Sequence, residues 1–167
     1  LDYEDDVLAR LDFVIGSIHS RFNLTGQEMT ARVLAALDNP YLTILGHPTG
    51  RLLLSRDAYA IDLEAIFAKA GARGVAIEIN ADPHRLDLDW RVLRSARAQG
   101  VMISIGADAH NLAGLGNIAL NEDRAFAVRA EQFRDVRIGE DLRADQGARV
   151  ALAAHFLHDL DRALGQT

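Results

Sequence analysis

The sequence predicts an α/β fold, with parallel strands alternating with helices, and three observations carry that prediction. Apolar runs of strand length alternate with helical patterns of about 10–14 residues four times over about 115 residues. The helical patterns carry their own start and stop signals. The strand runs are β-branched and end abruptly in polar or charged residues, as buried parallel strands do.

In chain order, Asp5 to Arg10 reads as the end of a short helix, and Leu11 to Ile18 is a first strand that ends in His19. Thr25 followed three residues later by Glu28 is a capping box. Met29, Val33, Leu34 and Leu37 then recur at helical spacing until Asn39 and Pro40 stop them. Leu42 to Gly46 is a second strand, leading into His47-Pro-Thr-Gly-Arg51. Ile61 to Ala70 is a helix with Asp62 near its start and Gly71 near its stop. Val75 to Ile79 is a third strand, Asn80 to Arg85 a loop, and Leu88 to Gln99 a helix closed by Gly100. Val101 to Gly106 is the fourth strand. Beyond Gly116, Asn121 to Phe133 and Arg149 to Leu164 have helical patterns, whereas 135–147 has no clear period. His155 and His158 lie three apart in the last of these, where a surface pair is the simpler explanation than a metal site.

With 167 residues, 49% of them apolar and 25% charged, the chain is long enough for one ordinary core and too balanced for disorder. No run approaches the roughly 18 apolar residues of a membrane span, and the opening Leu1 to Asp6 is acidic where a signal peptide is basic. The expectation is a cytoplasmic chain with no membrane partner. Cysteine is absent, so a bound metal must be held by His, carboxylate and water. A net charge of −6 argues against a sequence-independent nucleic-acid surface, but not against a phosphate held by cations and local arginines. Lys69 is the only lysine, and arginine suits bidentate phosphate contacts.

Three of the four strands end in a potential ligand: His19 after the first, His47 after the second, Asp108 with His110 after the fourth. On an extended chain Ser104, Gly106, Asp108 and His110 would share one side, opposite Ile103 and Ile105. The alternative for that segment is an ordinary turn in which Asp108 caps the next helix and His110 is exposed. Strand endings of this kind in successive β/α units put the side chains on one rim, about 5–10 Å apart, within reach of a shared metal cluster. Such sites suit Zn²⁺, Mn²⁺ or Fe²⁺ and most often activate water against phosphorus or carbonyl centres. Glu78 and Asn80 share a strand face, where a carboxylate is either a ligand itself or, as the simpler reading, a partner that accepts the other ring N–H of a ligating imidazole. Asn80-Ala-Asp-Pro is either an ordinary turn or a substrate loop presenting His84 and Arg85.

Phe13-Val-Ile-Gly-Ser-Ile-His-Ser-Arg-Phe-Asn23, Ile44-Leu-Gly-His-Pro-Thr-Gly-Arg51, Glu78-Ile-Asn80 and Asp108-Ala-His110 resemble the later motifs of a PHP (polymerase and histidinol phosphatase) domain. They are most similar to the branch at the C-terminus of bacterial family X DNA polymerases. The resemblance covers about Leu1 to Leu120. It implies part of a distorted (β/α)₇ TIM-like barrel with a trinuclear site for divalent zinc, manganese or iron, and 3′–5′ exonuclease and related phosphoesterase activity in DNA repair. By motif position His19, His47, Asp108 and His110 match family metal ligands, Asp108 and His110 serving the chemical step as well. Arg21 and Arg51 match positions beside the site, each two to four residues beyond a ligand His, where a guanidinium would contact phosphate.

The family's early motifs, with its remaining ligands, would precede Leu1. Residues 1–120 therefore read as the C-terminal half of a PHP domain and 121–167 as a helical tail without a family counterpart. The partners so implied are DNA or a phosphate ester as substrate, and an N-terminal part of the same protein comprising a polymerase core and the first half of the domain. On its own such a half-barrel should be marginal or dimeric. Two other readings compete with the exonuclease: a histidinol-phosphatase-like phosphomonoesterase, and an inactive truncated scaffold.

Overall fold

A computed structural model describes residues 1–117. Four parallel strands, β1 (Ile15–Gly16), β2 (Ile44–Leu45), β3 (Ala76–Asn80) and β4 (Ile103–Gly106), form one sheet in sequence order. The helices are α1 (Asp5–Leu8), α2 (Gly26–Leu37), α3 (Leu63–Arg73), α4 (Leu93–Ala98) and α5 (Leu112–Leu115). Consecutive parallel strands joined through helices are the arrangement of a stretch of TIM-like barrel. The functional and tail assignments beyond residue 117, including His155 and His158, fall outside the described residues.

Local chemistry accounts for the two longest helices, α2 and α3. In α2 the Thr25 hydroxyl accepts from the Glu28 amide at 3.3 Å and the Glu28 carboxylate accepts from the Thr25 amide at 2.9 Å, a complete capping box. Its Met29, Val33 and Leu37 are fully buried. They pack with Ile66, Phe67 and Ala70 of α3, with Leu93 and Ala96, and with Leu45 and Ile77 of the sheet. Asp62 caps α3, but the helix runs through Gly71 and stops at Gly74, which has φ +68°. Gly71 is instead a close approach, because a Cβ there would lie 2.1 Å from the Gln99 carbonyl oxygen. The predicted helix over 88–99, by contrast, is shorter: a 3₁₀ turn at Trp90–Val92, capped by Asp89, precedes α4.

The first two strands are the largest departure from the sequence-based expectation. Pairing between them starts at Val14, whose carbonyl accepts from both Thr43 and Ile44, and ends where Gly46 donates to Gly16. A turn at Asn39 to Tyr41 precedes β2, and His47, at φ +26°, ends it. Leu11 to Phe13 therefore have no strand to pair with in this sheet. By contrast β3 and β4 match over four residues, Ile77 to Asn80 against Ile103 to Gly106. Ile77 faces the helix-side core, while Glu78 and Asn80 are buried on the opposite face. That polar face leads to the site.

Candidate metal and phosphate site

Each predicted ligand follows the C-terminal end of a strand, and the structure brings two of the four together. The Nε2 atoms of His19 and His47 lie 3.2 Å apart, with the rings stacked at 5.2 Å between centroids. The Ser17 hydroxyl, two residues before His19, is 2.9 Å from the same His19 nitrogen. His47 is buried, and His19 is on the exposed side of the pair.

Buried carboxylates of the sheet and the following loop hold the His47 segment in place. The Glu78 carboxylate accepts from the His47 main-chain amide at 2.7 Å and from the Asn80 amide group at 3.4 Å. The support that Glu78 gives His47 thus runs through the backbone and not through the ring. Two residues on, the Thr49 amide and hydroxyl both donate to Asp87, at 3.0 and 2.8 Å, and the Tyr59 hydroxyl donates to the Pro48 carbonyl at 2.9 Å. Gly50 takes φ +62° directly against the Tyr59 ring, where a Cβ would stand 2.5 Å from a ring carbon. Burial raises the affinity of Glu78 and Asp87 for a proton above the ordinary carboxylate range. Burial, with the Arg85 charge second, makes His47 harder to protonate. A neutral imidazole is the state that ligates a metal.

The β4 corner is built differently. The strand ends at Gly106, Ala107 is buried, and Asp108 takes φ +48°. That reversal breaks the two-residue alternation that would have put Ser104, Gly106, Asp108 and His110 on one side. The Asp108 carboxylate pairs with Arg85 Nε at 3.1 Å. His110 is exposed, and its Nδ1 is 2.7 Å from the Asp108 carbonyl oxygen.

The arginines divide as well. Arg21 is exposed, with φ +58°. Arg51 is engaged inside the protein: its Nε donates to the Arg85 carbonyl at 2.9 Å, one terminal nitrogen to Asp89 at 2.8 Å and the other to the Leu86 carbonyl. Its carboxylate partner is thus Asp89, which Arg91 and Arg51 together hold well below the usual carboxylate range. For Arg51 to bind phosphate it would have to leave all three partners. His84 is exposed and pairs with Asp82 at 2.9 Å.

Two observations bear on whether a metal fits these residues. Nitrogens bound to one tetrahedral zinc at about 2.0–2.1 Å sit about 3.3 Å apart, close to the spacing of the two imidazoles. The Nε2 spacing at the His19–His47 corner therefore fits a divalent ion, whereas the buried Nδ1 of His47, on the far side of that ring, has no hydrogen-bond partner. Among the described residues no group of three or more His, Asp or Glu side chains is assembled to hold one, since Asp108 is on Arg85 and His110 faces solvent. No described helix is long and apolar enough to cross a membrane. Ser17, Thr49 and Asp87 were missed in the sequence. Ser17 sits two residues before a strand-end His, a readable signal, whereas Asp87 lies in an irregular loop whose burial no periodicity announces.

No family model matches the chain. Among curated proteins, it is 48% identical over 88 residues to the DNA polymerase/3′-5′ exonuclease PolX of Bacillus subtilis, an alignment covering 53% of this chain and 15% of that protein. It is 39% identical over 82 residues to a probable phosphatase of Clostridium novyi, covering 48% of this chain and 31% of the relative. A probable phosphatase of Caldicellulosiruptor bescii is 38% identical over 82 residues, covering 48% and 32%. The chain thus spans between about a seventh and a third of the length of these relatives.

Proposed function

We propose that this chain is part of a PHP-type phosphoesterase, a metal-dependent hydrolase whose substrate is a DNA 3′ end, as in the exonuclease of repair polymerases. The observation that carries the reading is the convergence of His19 and His47 on one point of the strand rim, within a chain 48% identical over 88 residues to a polymerase/3′-5′ exonuclease. His19 and His47 would hold a divalent ion, with Asp108 and His110 completing the set together with donors outside the described residues. When bound, such an ion supplies a water of lowered pKa and a Lewis acid for phosphate oxygens.

The chain's own residues do the rest. Glu78 fixes the His47 backbone, the Thr49–Asp87 contacts hold the turn behind it, and burial disfavours the protonated form of the His47 imidazole. Arg21, exposed just beyond His19, offers a guanidinium to the phosphate. A polymerase core and the remainder of the PHP domain would be the partners, in the cytoplasm.

The likeness to the two probable phosphatases favours a second reading, a phosphomonoesterase on the same corner. Hydrolysis of a 3′-labelled oligonucleotide and of histidinol phosphate under Mn²⁺, in a protein containing the whole domain, separates the two. Stepwise loss of 3′ nucleotides that disappears in His47→Ala supports the exonuclease. Release of inorganic phosphate from the monoester alone supports the phosphatase. Neither activity, or activity unaffected by His47→Ala, removes the site.

A further inference from the structure

The Asp108 carboxylate already holds a cation. Arg85 Nε lies 3.1 Å from Asp108 Oδ2, and the two side chains are only 18% and 26% exposed. The pairing is poorly made for a structural ion pair. It uses a single nitrogen where a guanidinium can offer a two-point fork, and the NH1 group of Arg85 is buried without an acceptor.

The main chain of Arg85 is firmly held, its amide donating to Asp82 at 2.8 Å and its carbonyl accepting from Arg51 at 2.9 Å. The side chain is therefore the part free to exchange partners. His19 and His47 supply a donor pair on the same rim, and Asp108 is within electrostatic reach of His47.

We propose that Arg85 acts as a resident cation that occupies Asp108 while the chain is metal-free and surrenders it when a divalent ion binds at the His19–His47 corner. The inference rests on the metal reading above and deepens it. An ion that takes Asp108 as a ligand must displace Arg85 from it, and Arg85 thereby lowers the metal affinity of the site.

Competition predicts a coupling that simple charge repulsion does not. Zinc ion alone is titrated calorimetrically into a protein containing the whole domain, as wild type, Arg85→Gln, Asp108→Asn and the double variant. Arg85→Gln should tighten zinc binding by about threefold or more, in line with couplings between contacting residues. In the Asp108→Asn background the same change should have less than a twofold effect, because no carboxylate is left to contest. An equal gain in both backgrounds means long-range repulsion and overturns the proposal, as does no gain in either.

The wild-type protein supplies a readout that does not depend on any variant folding. The Arg85 Nε–H resonance, followed by nitrogen-15 NMR, should shift on adding zinc as its Asp108 partner departs. Zinc binding with that resonance unmoved overturns the exchange and leaves the metal reading standing. No zinc binding by any of the four proteins removes the metal reading, and the exchange with it.

Discussion

The His19–His47 corner and the Asp108–His110 corner look alike in sequence, each a ligand-type residue following a strand, yet only the first brings its ligands together. Both contain a residue at positive φ, His47 at +26° and Asp108 at +48°. The difference lies in what holds the backbone afterwards. Behind His47 stand two buried carboxylates, Glu78 and Asp87, and the Tyr59 hydroxyl, bonded in turn to the backbone or side chain of His47, Thr49 and Pro48. Behind Asp108 the chain runs to the exposed Ala109 and His110, and the carboxylate itself is bound by Arg85. Convergence of ligands is thus a property of the supporting hydrogen bonds more than of ligand spacing.

The largest test of that contrast removes the support of one corner. Glu78→Ala leaves the buried His47 amide without an acceptor and should cost about 1–3 kcal/mol in urea unfolding, whereas His110→Ala, at an exposed position, should stay within about 0.5 kcal/mol. Equal costs would mean that the two corners are supported alike.

Gly106→Ala attacks the same carboxylate from the neighbouring strand. Its Cβ would lie 2.2 Å from Glu78 Oε1, so Glu78 must move and loosen its bond to His47. A loss of about 1–2 kcal/mol is expected, an ordinary overpacking cost, with a visible shift of the His47 amide resonance. Unchanged stability would show that Glu78 can shift without weakening its bond to the His47 amide.

Arg51→Lys gives a smaller effect and decides the role of the arginine after the His-Pro-Thr-Gly turn. A lysine cannot reach Asp89 and the carbonyls of Arg85 and Leu86 together, so the stability should fall by about 1 kcal/mol, visible as a lower Tm. A Tm at the wild-type value, accompanied by slower phosphoester hydrolysis, would return Arg51 to phosphate binding.

The smallest effect is in pH. Asp87 and Glu78 bind their protons more tightly folded than unfolded, because both are buried. Over the window from the unfolded value of about 4 up to their raised folded values, the native state carries more protons. Stability therefore declines as pH rises through that window. Asp87→Asn should flatten part of the decline, as followed by urea titrations at successive pH values. A slope unchanged by this substitution would assign the effect to Glu78 alone.

The sequence by itself determined the alternation of strands and helices, the capping box at Thr25 and Glu28, the cap at Asp62 and the placing of His19, His47 and Asp108 just past strand ends. These follow from near-neighbour chemistry: side-chain periodicity, a hydroxyl reaching an amide three residues on, a proline or glycine that halts a helix. Tertiary structure alone decided that Gly71 is a contact and not a stop, that β1 and β2 pair over only two residues each, and that Asp108 faces Arg85. Each of these depends on a partner more than 20 residues away in the chain, Gln99 for Gly71, Ile44 for Ile15, Arg85 for Asp108. Local pattern says nothing of such partners, because burial and pairing are set by which surfaces meet once the chain has folded.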